Sequence, residues 1–342
     1  MNHELFMRRA IELARRAGRD TASNPQVGAV IVHDNRIIGE GYHKKYGEAH
    51  AEVNAVASVK EVDRNLISDS TIYVSLEPCC FVGKTPACTD LITREGIKKV
   101  YVSYVDKTPE VSGNGLEILR SRGIEVHENI LSEEGEILAM PRNILADEKR
   151  PYVILKYAES QDGYFSKPGV QTWLTNYFSK ILVHKWRSES DAIIVGTGTI
   201  LIDNPSLDNR LFHGKSPTRI ILDRKNNLNR NFKVFNTAAE SITLNQKGYS
   251  DNSSENQFEL EDFSWKEILD FLGSKNIKTL FVEGGASLLS NIYSSGLWDE
   301  TRLLVSPKSL NGGIKVNKPN EWNEVKSLQV GSDRLIITRP IR

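Results

Sequence analysis

Apolar residues at the start of the chain recur at helical spacing. Phe6, Ala10, Leu13, Ala14 and Ala17 share one face, and Gly18 ends the segment. The pattern then shortens into apolar runs. "VGAVIVHDNRIIGEGYH" predicts a β-hairpin turning at Asp34-Asn35. A helix is expected to open near His50, "STIYVSLEP" reads as a strand closed by Pro78, and a further helix begins near Pro86. "KKVYVSYVD" is another strand. Gly113 and Gly115 mark a loop before a helix over Leu116 to Arg122, and "GIEVHE" is an edge strand. The first half ends near Leu145, and "ADEKRP", Ala146 to Pro151, reads as a short charged linker.

A second alternation follows. "PYVILKYAES" is a strand, a helix runs around Thr175 to Arg187, and "DAIIVGTGTI", "TRIILD", "KTLFVEGG", a helix through Leu288 and "ETRLLVSP" continue the series. The polar, acidic stretch from Gln246 to Ser264 is expected to be a surface excursion. Strands alternating with helices of this length imply sheets with parallel segments covered by helices, in two domains over residues 1–146 and 151–342.

Charge changes the picture by exclusion. Lys plus Arg equals Asp plus Glu at 44 each in 342 residues, so no net basic field draws in nucleic acid or an anionic membrane. Arg8, Arg9, Arg15 and Arg16 interrupt any signal-peptide core, and no run of about 18 apolar residues is present to span a bilayer. The three cysteines are odd in number and clustered, unlike a disulfide framework, so a reducing cytoplasm is the expected setting.

That cluster carries the chemistry. Zinc favours thiolate and imidazole, and a catalytic zinc keeps three protein ligands and a water. His50, Cys79 and Cys88 supply such a set: one at the start of a helix, one after a strand, one in the first turn of the next helix. Glu52 stands two residues from His50, where it could shuttle a proton between that water and a departing nitrogen. H-x-E with P-C-x-x-C marks zinc deaminases. Here the second cysteine follows nine positions after the first, and Pro78 before Cys79 makes Cys79 the ligand and Cys80 the spare. A structural zinc, or ordinary buried cysteines, is the alternative.

"HAEVNAV", "YVSLEPC" and "GKTPAC" resemble the N-terminal half of the bifunctional riboflavin biosynthesis deaminase/reductase family. The resemblance implies zinc on His50, Cys79 and Cys88, with Glu52 as proton carrier. "SNPQVGAVIV" places Asn24, and "GYH" places His43, beside the substrate; an ordinary surface histidine fits His43 equally. Lys84 and Thr85 are candidate phosphate contacts, with a turn-stabilising role as the alternative. The chain departs from the family in reading Cys79-Cys80-Phe81 where Cys-Ser-His is usual, and Pro86-Ala87-Cys88 for Pro-Pro-Cys.

In the second half, Gly196, Gly198, Gly284 and Gly285 follow strands, where α/β sheets place ligands, yet none forms G-x-G-x-x-G, and taken alone plain turns are the commoner reading. From Arg150 to about Pro307 this half resembles the family's reductase, which implies a dihydrofolate reductase-like α/β fold beside a cytidine deaminase-like three-layer α/β/α domain. By that resemblance Glu159, Trp173, Thr199, Asp203, Arg224, Gly284 and Gly285 lie along NADPH. Gln171, Leu207, Arg210 and Glu283 lie along the sugar phosphate. Trp173 as plain core is the alternative. Gln171 and Arg224 are larger than the family's usual serines.

The resemblance implies zinc-dependent deamination of 2,5-diamino-6-ribosylamino-4(3H)-pyrimidinone 5′-phosphate, then NADPH-dependent reduction of the ribosyl chain. It implies a small-molecule substrate, no nucleic acid or membrane partner, and a homo-oligomer, dimer or tetramer. A relative with a shifted substrate in another modified-pyrimidine pathway is the alternative.

Overall fold

A computed structural model describes residues 2–22, 24–83, 86–107, 112–250 and 255–341. The chain divides into two compact units, Met1–Asp147 and Glu148–Arg342.

The first unit opens with α1 (His3–Arg15) and the hairpin β1 (Gly28–His33) and β2 (Arg36–Tyr42). Asp34 and Asn35 both take positive φ in its turn, the conformation a tight two-residue hairpin requires. Then come α2 (Ala51–Ala57), β3 (Thr71–Leu76), α3 (Cys88–Arg94), β4 (Lys99–Tyr104), α4 (Asn114–Ser121), β5 (Glu125–His127) and α5 (Ser132–Glu148). The sheet order is β2-β1-β3-β4-β5. β1 is antiparallel to β2 and β3, whereas β3, β4 and β5 are parallel.

Period-two alternation builds the layers. Ala29 and Ile31 of β1 face a core shared with Ala55 of α2, Ile92 of α3 and Leu119 of α4. Val30 and Val32 face the opposite way, onto Phe6, Ala10 and Leu13 of α1. This is the three-layer α/β/α arrangement expected. Gly41 lets α2 come close: a Cβ there would stand 2.2 Å from the Ala55 amide nitrogen.

The linker reading needs correction. α5 runs through Ala146 to Glu148, leaving only Lys149–Pro151 before the next strand. Its buried face carries Gly135 and Ala139 beside Ile144, small residues that produce no apolar stripe in the sequence. Gly135 is there because a Cβ would lie 2.4 Å from Ser103 Oγ.

The second unit contains β6 (Tyr152–Ser160), α6 (Tyr177–Glu189), β7 (Ala192–Gly196), α7 (Thr197–Asp203), β8 (Thr218–Leu222), β9 (Ser241–Gln246) and β10 (Gln257–Leu260). It continues with α8 (Trp265–Ser274), β11 (Thr279–Val282), α9 (Ala286–Ser295), β12 (Glu300–Ser306), β13 (Asn323–Val330) and β14 (Asp333–Arg339). The order is β10-β9-β8-β7-β11-β6-β12-β14-β13, parallel from β10 to β12 and antiparallel beyond. One face packs Val153, Leu155, Ile194 and Ile220 against Leu272 of α8 and Leu289 of α9. On the other, Trp186 of α6 meets Phe281 edge-on at 6.2 Å.

The polar excursion also needs correction, because Gln257–Leu260 forms the edge strand β10. An edge strand is half covered, so its composition stays polar: Glu259 is exposed while Gln257 is buried and bonded to Asn245 (2.7 Å). Among the described residues, no helix is long and apolar enough to cross a membrane.

Candidate functional sites

In the first unit, chain geometry brings three distant residues together. His50 is the N-cap of α2, Cys79 follows the end of β3, and Cys88 opens α3. His50 Nδ1 lies 3.3 Å from Cys88 Sγ and 3.5 Å from Cys79 Sγ, and the three donor atoms all fall within 4.8 Å of one another. One imidazole nitrogen and two sulfurs at that spacing fit tetrahedral zinc with a fourth position open. The Cys88 amide also donates to Cys79 Sγ (3.3 Å). Hydrogen bonding from the Cys88 thiol, and from His50, holds the Cys79 thiol well below its ordinary range; the same contact and burial push Cys88 up. Metal binding requires both thiols to lose their protons.

Glu52 lies in the first turn of α2 and is only 3% exposed. Burial pushes its carboxyl up, and the neighbouring Cys79 charge adds to that. His43 is buried rather than a surface residue. Its Nδ1 donates to the Ala49 carbonyl (3.1 Å), so Nε2 accepts from the Asn24 amide (3.1 Å), and its ring meets His50 edge-on at 5.6 Å. Lys84 and Thr85 lie outside the described residues. Cys80 is half-buried and Phe81 is 49% exposed.

Sequence reading assigned no role to Glu77. Its buried carboxylate accepts from the backbone N–H groups of Asp106 (3.1 Å), Gly113 (2.9 Å) and Gly115 (2.9 Å). It therefore ties those loop positions to the strand end that presents Cys79. Gly115 passes so close that a Cβ would sit 2.3 Å from the Pro78 carbonyl oxygen. The signal was an acid in an otherwise apolar strand end, "YVSLEP". Glu77→Ala strands three backbone donors, two of them buried, so a loss of about 3 kcal/mol is expected, read as a lower urea midpoint.

In the second unit a cavity of about 1260 Å³ opens at the carboxyl ends of the parallel strands. Trp173, Thr199, Asp203 and Arg224 line it, as do Gly284 and Gly285. So do Gln171, Leu207, Arg210 and Glu283. Trp173 is 63% exposed, which rules out the plain-core alternative. Glu159 does not line the cavity; its carboxylate is engaged by Lys318 Nζ (3.0 and 3.1 Å). At Gly196 and Gly198 an added Cβ would meet nothing within 4 Å, so the missing side chains leave open space over β7. Gly285 caps α9, whose first amides face the same end of the sheet. This cradle fits a dinucleotide.

Lys156 and Arg187 also line the cavity, and sequence reading gave neither a role. Arg187 forks onto Glu283 (Nε–Oε1 2.6 Å, Nη2–Oε2 3.0 Å), and Lys156 Nζ stands 3.6 Å from Glu283 Oε2. Burial pushes the Glu283 carboxyl up, but Arg187 and Lys156 outweigh it and hold it at about 2. Burial lowers the Lys156 ammonium. His184, brought down to about 4 by burial and by Arg187 and Arg210, accepts the Arg210 amide on Nδ1 (3.2 Å) and so places that residue.

Comparison with known proteins matches both units. Residues 1–104 fit the cytidine and deoxycytidylate deaminase zinc-binding region, and residues 151–334 fit the RibD C-terminal domain. The chain is 37% identical over 327 residues to riboflavin biosynthesis protein RibD of Actinobacillus pleuropneumoniae, covering 92% of this chain and 86% of the relative. It is 36% identical over 335 residues to RibD of Aquifex aeolicus, covering 95% and 92%. The crystal structure of a diaminohydroxyphosphoribosylaminopyrimidine deaminase/5-amino-6-(5-phosphoribosylamino)uracil reductase from Thermotoga maritima superposes with TM-score 0.87 at 38% identity, covering 99% of each chain. Acinetobacter baumannii RibD superposes with TM-score 0.84 at 31% identity, again over 99% of each chain.

Proposed function

The chain belongs to the RibD family of bifunctional riboflavin biosynthesis deaminase/reductases, and from that premise we propose how its residues divide the two reactions. Residues 1–146 deaminate 2,5-diamino-6-ribosylamino-4(3H)-pyrimidinone 5′-phosphate. Residues 151–342 reduce the product's ribosyl chain to ribityl.

In the deaminase half, His50, Cys79 and Cys88 hold zinc, which supplies a Lewis acid and an activated water at neutral pH. Glu52 accepts a proton from the attacking water and delivers it to the departing ring amine, a role its burial favours. Asn24 and His43, bonded to each other, orient the pyrimidine. Lys84 and Thr85 take the phosphate.

In the reductase half, Trp173, Thr199, Asp203, Arg224, Gly284 and Gly285 hold NADPH, which supplies hydride to the first carbon of the opened sugar imine. Glu159, engaged by Lys318, stands outside this lining. Gln171 and Leu207 shape the sugar-phosphate side, and Arg210 clamps the phosphate. Glu283 aligns Lys156, whose lowered ammonium gives a proton to the imine nitrogen as the hydride arrives.

The observation that carries the reading is the convergence of His50 Nδ1 with two sulfurs beside a buried Glu52. Purified protein given the diaminopyrimidine phosphate should release ammonia, then oxidise NADPH. Absence of ammonia from zinc-loaded protein would reject the substrate. A shifted pyrimidine substrate is the second reading, favoured by Phe81 standing exposed after Cys80 and by Gln171 in the cavity lining. The neutral charge supports a small-molecule substrate over nucleic acid. A homo-oligomer in the cytoplasm completes the proposal; light scattering that returned a monomer mass would remove its first part, and localisation outside the cytoplasm the second.

A further inference from the structure

The reductase cavity differs from one strand end to the next. Lys156 sits on β6 and Arg224 lies two residues beyond β8, with β7 and β11 between those strands. Three strand spacings, roughly 14 Å, separate the two positions across the sheet. A dinucleotide laid over the carboxyl ends of the strands would thus have its nicotinamide at one and its adenosine at the other.

The adenosine end is cationic. Arg224 stacks over Phe263, 5.8 Å from guanidinium carbon to ring centroid, and its Nε–H donates to Gln246 Oε1 (2.8 Å). Among the described residues that fixes the guanidinium plane and leaves both Nη groups for a ligand. Lys266, in the first turn of α8, lines the same cavity. Its ammonium is paired with Asp270 on the exposed helix face, a contact worth little.

Two carboxylates beside these cations are committed to the backbone, and Asp262, next to Phe263, accepts from the Ser264 hydroxyl. Asp223, directly before Arg224, accepts from the amides of Asn227 (2.9 Å) and Leu228 (2.8 Å). Glu267, next to Lys266, accepts from those of Glu261, Asp262 and Phe263. The cavity's acidic lining is Asp203 and Glu283, the latter neutralised by Arg187 and Lys156.

Dinucleotide folds place an acid near such a strand end to take the ribose 2′-hydroxyl, or an arginine to accommodate a 2′-phosphate. We propose that Arg224, stacked on Phe263 and assisted by Lys266, reads the 2′-phosphate and so selects NADPH over NADH. The inference rests on the reductase reading above and assigns the selectivity within it to these residues. The guanidinium fork suits two phosphate oxygens, and Lys266 adds a point charge.

Calorimetry on the zinc-loaded full chain tests this with adenosine 2′,5′-bisphosphate and 5′-AMP, which carry no reactive nicotinamide. The unaltered chain should bind the bisphosphate more tightly. Arg224→Ala should cut that preference roughly ten- to hundredfold, the loss expected for a charge-assisted bond, while 5′-AMP affinity holds. Lys266→Ala should cut it less, and Arg224→Lys should restore part of it. An unchanged urea midpoint of the second unit serves as the folding control, because ammonia release reports on the first unit alone. Equal loss of both ligands in Arg224→Ala would show that the arginine serves another part of the cofactor, and an unchanged preference would place the 2′-phosphate elsewhere; either overturns the inference. Failure of the unaltered chain to oxidise NADPH would instead remove the reductase reading itself.

Discussion

Glu52→Gln retains zinc and loses ammonia release. Glutamine keeps the shape and burial of the side chain, and the three donor atoms of His50, Cys79 and Cys88 are untouched. What disappears is the ability to accept and return a proton, which contributes roughly 10²–10⁴-fold to such reactions. Metal analysis and an ammonia assay on the same sample separate the roles. Loss of zinc along with activity would make Glu52 a ligand or a structural prop. NADPH oxidation with pre-formed deaminated substrate should persist, because Glu52 belongs to the other unit.

The second large effect concerns Arg187. Its side chain is only 12% exposed, and its fork onto Glu283 offsets most of the cost of holding that carboxylate largely out of water. Arg187→Met leaves Glu283 with Lys156 alone at 3.6 Å. Breaking one side of a buried pair costs about 3–5 kcal/mol, so the second unit should unfold at lower denaturant, and NADPH oxidation should fall while ammonia release stays. The pH dependence follows from the sign of the shift. Glu283 is held at about 2 against an ordinary 4.5, so its ionised form stabilises the fold fully above the ordinary value. That contribution is lost as pH falls from there through about 2. In Arg187→Met burial prevails, the carboxyl rises, and the acid transition moves to higher pH. The double change Arg187→Met with Glu283→Gln should recover stability but not reduction. A single variant with the stability and acid profile of the unaltered chain would refute the pairing.

Much of this was legible from residue order. The deaminase elements stand out because β1 and β3 are covered on both sides and read as apolar runs, and because His50, Cys79 and Cys88 each sit at an element boundary marked by the chain itself. α5 was missed because Gly135 and Ala139 make its buried face look unremarkable. β10 was missed because an edge strand keeps polar residues such as Glu259. Glu77 and Arg187 escaped for a shared reason: each works through partners far away in sequence, Gly115 for one and Glu283 for the other.

By itself, then, the amino-acid sequence determined the strands and helices with a strong apolar period, though not α5, β9, β10, α8, β13 or β14, together with a candidate donor set for zinc and the resemblance that names the chemistry, since periodicity and ligand type are local properties. Only the tertiary structure decided that Trp173 stands exposed at a cavity, that His43 is buried against Asn24, and that Glu283 is ionised between Arg187 and Lys156. Burial and charge at a side chain are set by whatever the fold brings beside it, and those neighbours come from strands and helices that residue order alone does not place together.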